Sequence, residues 1–167
     1  MLQELINAVR GIGTTTIVSC PNVPAGIPGI AAADAFDAGD AFGTLLELKV
    51  PKMGEIRSAT FWDLDYEGTQ IDFMVYNVVV AQIASDAAWA PADIDQLHLI
   101  TVLSFVSYIN HANSYTFELT NIGKAYTTPL GKIWLQGRCI ATPTIAAGAM
   151  PRIQLQIQSF DPSFKEG

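Results

Sequence analysis

The segment PRIQLQIQSF, residues 151–160, alternates without a fault. Ile153, Leu155 and Ile157 fall on one side, and Gln154, Gln156 and Gln158 on the other. A period of two marks a half-buried β-strand, because successive side chains leave opposite faces of the sheet. The same period recurs upstream. In LLELKV, Leu46, Leu48 and Val50 oppose Glu47 and Lys49, and Pro51 should end the strand because it has no N–H to donate. EIRSATFWDLD sets Ile56, Ser58, Thr60 and Trp62 against Arg57, Ala59 and Phe61, and IDFMVYN places Ile71, Phe73 and Val75 together. SYTFELT and GKIWLQGRCIA read as further strands. LITVLSFVSYI is apolar on both faces, the pattern of a strand in the middle of a sandwich.

Two stretches depart from this period. WAPADIDQLH predicts a short helix, with Pro91 near its start and Asp93 and Asp95 at its positive N-terminal end. At the N-terminus, residues 1–10 place Leu2, Leu5, Ile6 and Val9 on one face of a short amphipathic helix. From Gly11 to Phe42 no period is found: Pro21, Pro24 and Pro28 stand among glycines, followed by AAADAFDAGDAFG, whose Asp34, Asp37 and Asp40 read as solvated loop acids. Turn formers without a period predict an extended arm, and such arms commonly gain their order from a neighbour. The expected architecture is all-β: an antiparallel β-sandwich, jelly-roll-like, with about eight strands and one short helix. Residues 1–43 would be an N-terminal helix and extended arm, and 44–167 the β-sandwich domain.

Composition sharpens this. The chain has 167 residues, enough for one domain with a sizeable core. Half are hydrophobic, 15% are charged, and the mean hydropathy is +0.28. Apolar surface left over once a core is filled is usually covered by a partner, which predicts an oligomer or a component of an assembly. The formal charge of -7, with nine basic residues scattered along the chain, argues against a nucleic-acid partner. No segment reaches the ~18 uninterrupted apolar residues of a membrane helix, so no membrane partner is expected. The N-terminus carries Glu4 and Arg10 and lacks the long apolar run of a secretory signal. Cys20 and Cys139 have no metal spacing and read best as two buried thiols.

Candidate chemistry centres on FWDLDYEG, residues 61–68. Asp63, Asp65 and Glu67, with Gly68, match the opening of a calcium loop and could supply three oxygen ligands. Such a loop needs a bidentate Glu at its twelfth position, where this chain has Met74. The flanking segments also alternate like strands rather than helices. A hairpin whose Asp and Gly meet turn geometry is therefore the favoured reading, and no cofactor or metal is expected. His98 and His111 lack the clustering of a metal site, and Cys139 has no nearby base in sequence. No catalytic residues stand out, and a non-enzymatic role follows. Trp134 shares a face with Lys132, Gln136 and Arg138; it reads as an outward aromatic for a glycan or an interface.

The order of segments carries a resemblance. VPKMGEIRS (50–58) leads into a strand ending at Asp63, then come IDFMVYN (71–77), WAPADIDQL (89–97), NIGKAY (121–126) and GKIWLQGRCIATPT (131–144). As an ordered set, covering roughly residues 44–160, this resembles a family of small proteins encoded beside the major capsid protein in tailed bacteriophages: head decoration, or cement, proteins with a β-sandwich fold. The resemblance implies a virion structural protein on the outer capsid surface. Its partners would be the major capsid protein and itself, as a trimer or dimer, bridging shell subunits without covalent bonds. Contacts would come from Leu2, Leu5 and Ile6, and from the arm at Ile12, Ile17, Val23, Ile27 and Ile30. The alternative is another virion β-sandwich component, a head fibre or tail protein that binds host glycan.

Overall fold

A computed structural model describes residues 16–164 apart from 31–33, 66, 147 and 162. The predicted helix over 1–10 lies outside the described residues. The strands are β1 (Thr16–Gly26), β2 (Asp34–Ala35), β3 (Ala41–Lys49), β4 (Met53–Asp63), β5 (Ile71–Tyr76) and β6 (Leu99–Phe105). They continue as β7 (Tyr108–Asn110), β8 (Tyr115–Leu119), β9 (Lys124–Thr127), β10 (Lys132–Cys139), β11 (Thr144–Ile145) and β12 (Arg152–Ser159). One four-residue helix, α1 (Asp93–Gln96), precedes β6, as the acidic first turn predicted.

Every pairing is antiparallel. One sheet runs β1-β12-β4-β8-β7, with β9 beside the first half of β4; the second runs β3-β10-β5-β6; β2 and β11 form a small separate pair. The expected all-β sandwich is what the chain forms. Its core lies between the two large sheets. From the first come Ile56, Phe61, Phe117, Ile153, Leu155 and Ile157, and from the second Phe42, Phe73, Leu103, Phe105, Ile133 and Leu135, all buried. Phe61 is the hub: its ring centroid lies 5.6 Å from Phe105 and from Phe117, 5.7 Å from Phe73 and 6.3 Å from Phe42. Tilted and edge-on aromatic pairs of this kind add about 0.5–1.5 kcal/mol each beyond area burial. Gly137 allows β3 to come close, because a Cβ there would stand 3.0 Å from that of Phe42.

Three expectations are corrected. First, the arm predicted within 1–43 is not an arm over its described part. Residues 16–26 form the edge strand β1, and Ile27, Phe36, Ala41 and Phe42 are buried in the core. The prolines hid this strand. Cys20 pairs with Leu155 and Ala25 with Ile153, so 21–24 bulge out opposite Gln154 alone. An edge-strand bulge is one of the few places in a sheet where proline's missing N–H costs no ladder bond. Second, β4 does not alternate evenly. Gln156 faces Ser58 but Ile157 faces Ile56, so Arg57 is bulged and the phase flips. Ile56, Ala59 and Phe61 thus all point inward, while Ser58, Thr60 and Trp62 point out. Third, LITVLSFVSYI is not one central strand. It is β6 at the edge of one sheet and β7 at the edge of the other, with 106–107 crossing between them.

Candidate functional site

Among the described residues β1 is paired on one side alone, by β12, which secures its position. The outward glutamines of β12 do this work. Gln154 Nε2 donates to the carbonyls of Pro21 (2.8 Å) and Asn22 (3.2 Å), and Gln156 Nε2 donates to Ser19 Oγ (2.8 Å). Arg152 Nη1 reaches the Pro24 carbonyl at 3.1 Å. These bonds satisfy acceptors that the bulge removes from the ladder. On the strand so held, Val18 and Cys20 point into the core, while Ile17 and Val23 are 62% and 68% exposed. Thr16, the first described residue, pairs with Ser159.

The predicted contact residues therefore divide. Ile17 and Val23 lie together on the free edge strand. Ile27 is buried and Ile30 packs against the core, so neither presents a free side chain. Leu2, Leu5, Ile6 and Ile12 lie outside the described residues.

The acidic loop is organised by its first member. Asp63 is fully buried; its Oδ1 accepts the Asp65 amide and its Oδ2 the Thr69 amide, both at 3.0 Å. Asp65 in turn accepts the amide of Ala146, and Gly68 takes a positive φ of 65° that suits glycine. Among the described residues no group of three His, Cys, Asp or Glu is placed to hold a metal ion, so Asp63, Asp65 and Glu67 do not form one. The loop joins β4 to β5 across the two sheets, rather than as a hairpin within one.

Trp134 lies on the outer face of its sheet but is covered, at 5% exposure, and offers no open ring face to a sugar. Residues 77–92 cross that face as a strap. Gln136, also buried, clamps it: Oε1 accepts the Ile83 amide at 3.1 Å, while Nε2 donates to the Ile83 carbonyl at 2.6 Å and the Gly43 carbonyl at 3.1 Å. Met74, Tyr76 and Val80 form a second buried cluster beneath the strap, with Leu45, Trp89 and Leu99 packed against it. Sequence reasoning missed this clamp because its partners lie 53 and 93 residues away.

Both cysteines are buried thiols outside any disulfide. Burial, helped by the carboxylates of Asp40 and Asp86, pushes the Cys139 thiol up to about 12, which leaves it protonated and unsuited to nucleophilic work. Among the described residues no helix is long and apolar enough to cross a membrane.

The fold and the edge strand define a class by architecture: a small antiparallel β-sandwich in which, among the described residues, β1 is an edge strand carrying exposed apolar side chains. No protein-family model, no curated protein and no solved structure matches the chain.

Proposed function

We propose that the protein is a structural component of a tailed-phage virion, a decoration or cement protein that sits on the outer capsid surface and bridges major capsid proteins. The observation that carries this reading is the free edge of β1. Ile17 and Val23 are exposed on it, and the apolar Leu2, Leu5, Ile6 and Ile12 precede it in sequence. An exposed strand edge is a ready template for an extended segment of another chain, with main-chain hydrogen bonds giving affinity and alternate side chains giving specificity. The ordered segments over 44–160 that resemble the phage family support the same reading. So does the -7 charge, which ill suits a nucleic-acid ligand. The role is binding rather than catalysis, repeated over a shell so that modest contacts add up.

Undecorated capsids mixed with the purified protein and sedimented test this directly. The described fold fixes where a truncation must stop. Removal of residues 1–30 would strip out β1 and the core residues Val18, Cys20 and Ile27, so it would unfold the protein rather than only disarm it. Deletion of 1–15 leaves β1 whole. The expected result is co-sedimentation of the full chain, and at least tenfold weaker binding for the 1–15 deletion and for Ile17→Lys with Val23→Lys. Melting temperatures should remain near that of the parent, because both side chains are already exposed. Binding of all forms alike, or of none, overturns the reading.

A further inference from the structure

The nine basic residues look scattered in the sequence, yet the fold gathers three of them. Lys49 ends β3 and Lys132 begins β10, and they are direct cross-strand partners. Lys52 lies just before β4. All three line one open cleft of about 420 Å³ at the end of the sandwich where Thr16 enters. Val50, Leu130 and Phe164 supply an apolar wall, and Asp161 and Ser163 complete the rim.

The charges there are not all spent. Lys132 pairs with Glu47 at 2.6 Å, and Lys52 faces Asp161, whose Oδ1 already accepts the Ser163 amide (2.9 Å) and hydroxyl (2.6 Å). Among the described residues neither Lys49 nor Lys52 is in an ion pair. Like charges directly opposite on a ladder repel, and here they do so in a chain of net charge -7. A negative group between the lysines relieves that repulsion. The cleft falls in the ~300–1,000 Å³ range of ligand clefts, larger than a lone inorganic anion needs, and its apolar wall would be wasted on one.

We propose that this cleft binds an acidic peptide segment of a partner, a carboxylate side chain set between Lys49, Lys52 and Lys132 with a neighbouring apolar residue against Leu130 and Phe164. It is a second contact, separate from the β1 edge, and does not depend on the shell-binding reading. Lysine ammoniums act as point charges without fixed fork geometry, so the site selects for charge and apolar flank rather than for a particular acid.

The test is titration of the full chain with the peptide acetyl-Leu-Glu-Leu-Glu-amide, followed by amide NMR. Saturable shifts confined to residues 50–52, 130–132 and 163 are expected. They should weaken at least tenfold when Lys49→Gln, Lys52→Gln and Lys132→Gln are combined, survive the three Lys→Arg changes, and fade with added salt. The same peptide with Gln for Glu should give none. The proposal fails if millimolar peptide moves no amide at the cleft, or if the triple Gln variant, its other amides unmoved, binds as before. Inorganic phosphate binding as tightly as the peptide also overturns it, since the apolar wall would then do nothing.

Discussion

A carboxylate enclosed at 0% exposure must have its charge met by donors, and at Asp63 those donors are the amides of Asp65 and Thr69. The spacing of acids and glycine in FWDLDYEG was legible; what it served was not. Acids and a glycine at these intervals suit an oxygen cage and a side-chain-to-amide turn equally well, and only the direction of the amides separates them. Tyr126 shows the opposite situation. Its ring is buried at 7% exposure, its hydroxyl is enclosed without a hydrogen-bond partner among the described residues, and desolvation raises its pKa. An unpaired buried hydroxyl carries a desolvation cost of about 1–3 kcal/mol. Tyr126→Phe should therefore leave stability unchanged or raise it by about 1 kcal/mol. Urea unfolding measures this, and a clear loss of stability would reveal a partner for the hydroxyl.

At the scale of elements, strands with an unbroken period were readable and those with a defect were not. β12 was plain because nothing interrupts Ile153, Leu155 and Ile157, all at 0% exposure. β4 was found, but its inward set was wrong on one side of Arg57, because a bulge leaves no mark in the hydrophobic pattern. β1 was missed outright, since prolines that end an inner strand are tolerated in an edge bulge. The strap across the outer face of β10 was equally invisible, because Gln136, which clamps it, meets partners 53 and 93 residues away. Gln136→Leu removes three hydrogen bonds and strands the Ile83 amide and the Ile83 and Gly43 carbonyls they served. A loss of about 2–3 kcal/mol in urea unfolding is expected, together with faster amide exchange at residue 83 than in the parent. An unchanged exchange rate would mean that the backbone bridges at 39–41 hold the strap alone.

For the whole molecule, the Cys139 thiol sets an alkaline limit. Cys139, pushed up from an ordinary 9.0 to about 12 by burial and by Asp40 and Asp86, keeps in the native state a proton that the unfolded chain gives up. Its contribution is complete below pH 9.0 and is lost as pH rises toward about 12. Between pH ~8 and ~10.5 the parent should lose about 2 kcal/mol more stability than Cys139→Ala, compared as slopes in denaturant unfolding. Parallel slopes would show that the thiol does not contribute. The same whole-molecule view explains why the lysine cleft escaped sequence reading: residues 49 and 52 meet 132 only once β3 pairs with β10, 83 residues apart in the chain at Lys49 and Lys132. It also gives the glutamines of β12 a wider meaning. Gln154 donates to the main-chain carbonyls of Pro21 and Asn22, groups that every residue carries. Anchorage and recognition are thereby largely separate: Ser19 apart, whose hydroxyl accepts from Gln156, the outward residues of β1 can be rewritten for a new partner while the same side-chain amides keep holding the strand.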